Sequence, residues 1–147
     1  MAAVRQAKVT WDGDLMTGKG VVSAVSSGAF SSLPVTWAAR TEASGGKTSP
    51  EELIASAHAS CFSMALSGAL ARAGTPGKKL EVEATVTFDK TDAGWRVISS
   101  ALKVKGQVPG MDEAAFKKAA EGAKDGCPIS QALKNNVKLS VEASLLK

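Results

Sequence analysis

A single long helical pattern extends from Ser49 to Gly74, with the sequence SPEELIASAHASCFSMALSGALARAG. Ser49 is a good helix N-cap, and Pro50 suits the first helical position because its missing N–H is not needed there. Glu52 follows Ser49 by three residues, which completes a capping box. Gly74 marks the C-terminal end. We therefore predict one long helix that begins at Pro50 and ends just before Gly74.

The middle of this helix carries no charge. The 19 residues from Leu53 to Ala71 include no Asp, Glu, Lys or Arg, a length that nearly spans a membrane. However, the run contains His58, four serines and a glycine, which argues against a membrane span. We predict a long buried central helix of a soluble protein, whose many small residues let another helix approach closely.

The flanking segments alternate between apolar and polar residues, as strands do. Predicted strands precede the helix at 8–11, 20–25 and 28–37 (broken at Pro34), and follow it at 80–88, 95–104 and 136–146. Two shorter helices are predicted, from Glu113 to Lys124 and from Pro128 to Leu133. This order predicts an α+β fold, with an antiparallel sheet wrapped around the central helix. The 147 residues suit one domain, spanning 1–147.

Composition excludes several functional classes. The net charge is +4, but the basic residues are scattered and aromatic residues make up only 5%, which disfavours nucleic-acid binding. The first residues, Met1 to Gln6, lack the apolar core of a signal peptide, so we expect a cytoplasmic protein. Thiols are kept reduced in that compartment, which disfavours a permanent structural disulfide.

The two cysteines, Cys61 and Cys127, are 66 positions apart. With one histidine and no CxxC motif in the chain, a zinc site is disfavoured, and we expect no metal. A disulfide, two inert core thiols and a catalytic pair all remain open. Cys127 is predicted as an N-cap, where a helix terminus favours the thiolate. Cys61 lies about eleven residues into its helix, so its activation would need a side chain brought by the fold.

Three side chains could provide that activation. His58 precedes Cys61 by three residues on nearly the same helical face, so it either tunes the thiol or is a core histidine bonded to backbone. Arg40 is either a functional cation or a solvent-facing arginine. Glu51 remains available, because Glu52 belongs to the capping box, but it is equally explained as a favourable charge in the first helical turn.

The motifs around these residues resemble the OsmC/Ohr family of thiol peroxidases, and its OsmC branch in particular. The resemblance covers essentially the whole chain and rests on 48–54 (TSPEELI), 57–66 (AHASCFSMAL), 126–130 (GCPIS), 11–14 (WDGD) and 108–112 (VPGMD). It implies that Cys61 attacks the peroxide, that Cys127 resolves the product, and that Arg40 and Glu51 complete the site. Arg5 lies before the first strand, too early for the arginine of the Ohr branch.

The resemblance further implies an intertwined homodimer and a cysteine-based peroxidase that reduces organic hydroperoxides and hydrogen peroxide. The expected reaction forms a sulfenic acid at Cys61 and then a Cys61–Cys127 disulfide, which an external dithiol, such as a lipoyl group, reduces. No cofactor is expected. Phe62, Met64, Met111 and Ile129 are candidates for an apolar pocket or for plain core packing. Two other classes stay open, a redox-sensing or binding module and a structural stress protein with inert thiols.

Helix geometry adds one expectation. Glu51 and Cys61 are ten residues apart on one helix, which separates their backbones by roughly 15 Å. If Glu51 holds Arg40 by a bidentate pair and both act on Cys61, we expect Glu51 to come from the other subunit of a two-fold dimer.

Overall fold

A computed structural model describes residues 1–147. The chain divides into two compact units, Met1–Leu53 and Ile54–Lys147. The first holds β1 (Ala7–Asp12), β2 (Lys19–Ala24), β3 (Leu33–Val35) and α1 (Trp37–Thr41), and α2 (Pro50–Arg72) begins in it and continues into the second. The second also holds β4 (Lys79–Thr91), β5 (Gly94–Gln107), α3 (Glu113–Gly126), α4 (Pro128–Leu133) and β6 (Lys138–Leu145). These elements confirm the α+β class.

The first unit is an antiparallel sheet in the order β1-β2-β3. Its third strand is much shorter than predicted and covers only Leu33–Val35. The preceding residues turn instead, because Gly28 and Ser32 have φ angles of 65° and 54°, values outside the range of an extended strand. Every residue of β1 is exposed within the chain.

Helix α1 was not predicted from the sequence, where the strand was expected to run to Trp37. The Thr36 side chain caps the helix by accepting a hydrogen bond of 3.1 Å from the Ala39 N–H. Threonine is a favoured N-cap, so this signal was present in the sequence. The short helix matters because it places Arg40 in its last turn.

Helix α2 begins at Pro50, as predicted, and ends at Arg72. The Ser49 hydroxyl accepts a hydrogen bond of 3.1 Å from the Glu52 N–H, which is the expected cap. The Glu52 carboxylate, in turn, accepts a hydrogen bond of 2.8 Å from the Thr48 hydroxyl. The start of the helix is therefore fixed by side chains on both sides of Pro50.

The second unit is a three-stranded sheet in the order β4-β5-β6. β4 and β5 form the predicted antiparallel hairpin, in which Thr91 pairs with Gly94 across the turn. β6 runs parallel to β5, so the sheet is mixed rather than antiparallel throughout. The reason is that α3 and α4 connect β5 to β6, and a helical crossover of this kind returns the chain in the same direction.

Helix α2 packs into the second unit by one stripe of side chains. Its buried members His58, Phe62, Leu66 and Leu70 recur every four residues, and Phe62, Leu66 and Leu70 meet the apolar side of the sheet and α3. The helix has the length and apolarity of a membrane span, but one stripe of it is buried in the core of the second unit. Its other faces are less covered within the chain, and Met64 is 73% exposed.

Candidate functional site

Cys61 and Cys127 meet in the second unit, side chain to side chain. Both are free thiols; Cys127 is buried at the junction of α3 and α4, while Cys61 on α2 is partly exposed. Their side chains share a hydrogen bond. Two residues 66 positions apart in the sequence are thus brought together, which is the arrangement that thiol–disulfide chemistry requires.

The surroundings of Cys61 do not activate it. Burial raises the pKa of the Cys61 thiol, and the hydrogen bond with Cys127 raises it further. The backbone N–H of Ile129, which hydrogen-bonds to the sulfur, is the one group that lowers this pKa, and the net direction is upward. None of these groups carries a positive charge. An efficient nucleophile needs the thiolate form, so the thiol pair is chemically incomplete as it stands in its own unit.

Arg40 and Glu51 form an ion pair within the first unit. The Arg40 Nη2 donates to Glu51 Oε1 at 2.7 Å, and Nε lies 3.0 and 3.1 Å from the two carboxylate oxygens. The bidentate contact fixes the guanidinium plane as well as its position. The Glu51 side chain is only 8% exposed, whereas that of Arg40 is 30% exposed. One edge of the guanidinium is thus occupied by Glu51, and the group still reaches the surface.

Two further contacts place Arg40 in an apolar environment. The Arg40 guanidinium carbon lies 5.9 Å from the centre of the Trp37 ring, a cation–π contact. Arg40 also lines a cavity of about 350 Å³ in the first unit, whose other walls are mostly apolar. The lining side chains include Val9, Trp11, Leu15, Val35, Trp37 and Leu53. A charged group beside such a cavity could position the polar end of an apolar molecule.

His58 is a core histidine, but its partners are not the backbone groups expected from the sequence. Its side chain has no exposed surface. Nδ1 lies 2.6 Å from the Ser100 hydroxyl oxygen, and Nε2 lies 2.8 Å from that of Ser130. Burial lowers the pKa of His58, which favours the neutral imidazole. Sequence reasoning missed both serines, since they lie 42 and 72 residues away.

The candidate pocket residues separate into two groups. Phe62 is fully buried in the core, so its side chain serves packing rather than a pocket. Met64 and Met111 line an open groove between α2 and α3 in the second unit. Ile129 is partly buried against the core, and it interacts with Cys61 through its backbone N–H.

Similar proteins identify the family. The model of the OsmC-like protein family matches residues 43–142. The chain is 42% identical over 142 residues to "Peroxiredoxin OsmC" from Escherichia coli strain K12, covering 97% of this chain and 98% of that protein.

Two solved structures share the fold. An OsmC-like protein from Mycoplasma pneumoniae has a TM-score of 0.76 at 16% identity, covering 100% of both chains. A protein from Vibrio cholerae described as a "putative organic hydroperoxide resistance protein", with captopril bound in one of its active sites, has a TM-score of 0.74 at 25% identity, covering 97% of this chain and 94% of that one. The family match over residues 43–142 and the 42% identity to the Escherichia coli protein show that this chain belongs to the OsmC family.

Proposed function

We propose that this protein is a thiol-dependent peroxidase with peroxiredoxin-like hydroperoxide reductase activity, acting through Cys61. The observation that carries the proposal is the direct contact between the Cys61 and Cys127 side chains. The names of its relatives, a peroxiredoxin and an organic hydroperoxide resistance protein, support a peroxidase role and organic hydroperoxides as substrates.

The proposed reaction has three balanced steps. The Cys61 thiolate attacks one oxygen of the hydroperoxide, the O–O bond breaks, and the leaving alkoxide takes a proton, which gives an alcohol and a sulfenic acid at Cys61. The Cys127 sulfur then attacks the sulfenic acid, which releases water and forms a disulfide. A dithiol reduces this disulfide by two exchange steps and leaves as its own disulfide. Hydrogen peroxide reacts in the same way and yields water.

Arg40 is proposed to activate Cys61 and to orient the peroxide. A guanidinium beside the sulfur would favour the thiolate and offset the burial that raises the pKa of Cys61. Glu51 is proposed to hold the guanidinium in one plane, which the bidentate contact already achieves in the single chain. The apolar cavity beside Arg40 offers space for the organic part of a hydroperoxide.

The proposed site is completed by a homodimer, in which the Arg40–Glu51 pair of one subunit serves Cys61 of the other. Glu51 precedes Cys61 by ten residues on α2, or roughly 15 Å along the axis. Because Arg40 is bound to Glu51 of its own chain, the two residues would act as one group. Exposed apolar side chains in the first unit, including Val9, Leu15 and Met16, support a surface that a second copy covers.

We also propose that the two units act as one domain spanning 1–147, and that the protein works in the cytoplasm. A reducing compartment supplies the dithiols, of which a lipoyl group is one candidate, and keeps the cysteine pair available for turnover. No cofactor enters the proposed reaction.

A peroxide consumption assay tests the function. Purified protein is mixed with hydrogen peroxide or with organic hydroperoxides of increasing size, and with dihydrolipoamide or dithiothreitol as the reductant. We expect many turnovers per subunit, faster with organic hydroperoxides than with hydrogen peroxide. Consumption of a single equivalent with every reductant would instead indicate a redox switch, and no consumption would reject the proposal.

A further inference from the structure

The buried imidazole of His58 connects three elements of the second unit. His58 lies on α2, Ser100 on β5 and Ser130 on α4, and both ring nitrogens are within 2.8 Å of a serine hydroxyl. Both serines are buried too. The hydroxyls are donors and acceptors, so either tautomer of the neutral ring satisfies both contacts.

The α4 end of this bridge lies next to the reactive sulfurs. Ser130 follows Ile129, whose backbone N–H contacts the Cys61 sulfur, and it comes three residues after Cys127. The bridge therefore reaches the short segment that carries two of the groups facing Cys61. These are the resolving thiol and the backbone donor.

Helix α4 needs such an anchor. It has only six residues, and its N-cap residue, Cys127, makes no side-chain capping hydrogen bond. Short helices are marginally stable without tertiary contacts. The hydrogen bond from Ser130 to His58 ties the first turn of α4 to the long helix that carries Cys61.

We propose that His58 is a positioning residue for the cysteine pair, holding α4 through Ser130 so that the Ile129 N–H and Cys127 stay aimed at the Cys61 sulfur. This rests on the proposed function, since it assigns His58 to the same site. His58 exchanges no proton with the substrate in this role.

Matched substitutions separate positioning from simple core stability. Ser130→Ala and Ser100→Ala each remove one buried hydroxyl from the same imidazole, but only Ser130→Ala releases α4. Two substitutions of His58 make the same distinction. In His58→Gln the side-chain amide reaches the position of Nε2 and can still hydrogen-bond to Ser130. In His58→Asn the shorter side chain reaches only the position of Nδ1, near Ser100. We expect His58→Gln to behave like the unaltered protein and His58→Asn to behave like Ser130→Ala.

The readout is the rate at which iodoacetamide alkylates Cys61 between pH 6 and pH 10, followed by mass spectrometry. Ser130→Ala and His58→Asn should move the midpoint of this profile downward, because a released α4 takes away burial and the Cys127 contact, which raise the pKa of Cys61 by more than the Ile129 N–H lowers it. A shift of about half to one pH unit speeds alkylation at pH 7 by about threefold to tenfold. Ser100→Ala should move the midpoint by less than about 0.2 pH unit. Its melting temperature should nevertheless fall by about as much as that of Ser130→Ala.

Equal midpoints in Ser130→Ala and Ser100→Ala would overturn the proposal, because His58 would then serve only the core. If Ser130→Ala fails to fold, the comparison of His58→Gln with His58→Asn decides alone, and equal midpoints there would also overturn it. Alkylation requires no peroxide. If the midpoints differ among the variants as expected but the protein does not turn over peroxide, the proposed function is rejected while the role of His58 at the thiol is upheld.

Discussion

The Arg40–Glu51 pair and the Cys61–Cys127 pair are built in opposite ways. The first is a bidentate ion pair in which the Arg40 side chain is 30% exposed. The second is a contact between two uncharged sulfurs, where burial raises the pKa of the Cys61 thiol. The charge that a reactive thiol needs lies in one unit and the thiol lies in the other. Neither pair by itself supplies both a thiol and a cation, so the proposed reactivity would depend on how the two pairs are assembled.

The largest expected effect concerns the two sulfurs. Cys61→Ser should abolish peroxide reduction, because it removes the nucleophile. Cys127→Ser should still consume about one equivalent of peroxide per subunit and leave a sulfenic acid at Cys61. Mass spectrometry after trapping with dimedone checks both outcomes. A first oxidation found on Cys127 instead would reverse the assigned roles.

Mixed dimers test whether the two pairs meet across subunits. Cys61→Ser and Glu51→Ala proteins, each expected to be nearly inactive, are unfolded and refolded together in equal amounts. Random pairing makes half of the dimers mixed, each with one intact site, so about a quarter of the unaltered activity should return. Proteins refolded separately and then combined serve as the control. Mixed dimers that form without activity would place Glu51 at the site of its own chain.

Arg40→Lys tests the geometry of the charged pair. Lysine keeps the charge but loses the planar fork that can hold a carboxylate and a substrate at once. We expect kcat/KM to fall by about a hundredfold, close to 3 kcal/mol of transition-state stabilisation. The melting temperature should change little. Arg96→Lys, on an exposed part of β5, is the control, and a normal rate in Arg40→Met would remove Arg40 from the site.

Gly106→Ala tests the packing that holds the thiol pair. A Cβ atom at Gly106 would lie 2.4 Å from the ring of the buried Phe116. We expect the free energy of unfolding to fall by about 1–3 kcal/mol, as overpacked cores do. Gly122→Ala is the control, since nothing lies within 4 Å there, and it should raise helix stability by about 0.5–1 kcal/mol. Equal stability of both variants in urea titrations would contradict the packing described.

The smallest effect is a pH dependence of stability from His58. Burial lowers the pKa of His58 in the folded protein, below the value of about 6.5 in the unfolded chain. The unfolded chain therefore takes up the proton first as the pH falls. The contribution of neutral His58 to the free energy of unfolding is fully present above about pH 6.5. It is lost as the pH falls from there to the folded pKa, by at most about 1.4 kcal/mol per pH unit. As the pH is lowered from about 7.5 to about 5.5, the melting temperature should decline less in His58→Gln than in the unaltered protein. Equal declines in the two proteins would contradict this origin of the pH dependence.

Local signals predicted much of this structure. Ser49 and Pro50 placed the start of α2, and Asp112 placed the start of α3. The resemblance of the motifs around the cysteines to OsmC/Ohr proteins agreed with the family match. Helix α1 was missed although Thr36 signals it, because the strand pattern before it was extended too far.

Long-range features were harder to predict. The parallel direction of β6 depends on the helices that precede it, and the serine partners of His58 come from two other elements. Hydrogen bonds between residues so far apart leave no periodic pattern in the sequence. The expectation that Glu51 holds Arg40 came from the resemblance, and the structure places both residues of that pair in one chain.

Backbone hydrogen bonds hold Cys127 on both sides at the junction of α3 and α4. The Cys127 N–H donates to the Ala123 carbonyl at 2.9 Å, and its carbonyl accepts from the Gln131 N–H at 3.0 Å. The backbone of this cysteine thus ends one helix and starts the next. Because Cys127 already contacts Cys61, bond formation between the sulfurs would require a turn about side-chain torsions and no melting of either helix. Hydrogen exchange of the α3 and α4 amides should then be nearly the same in the dithiol and disulfide forms.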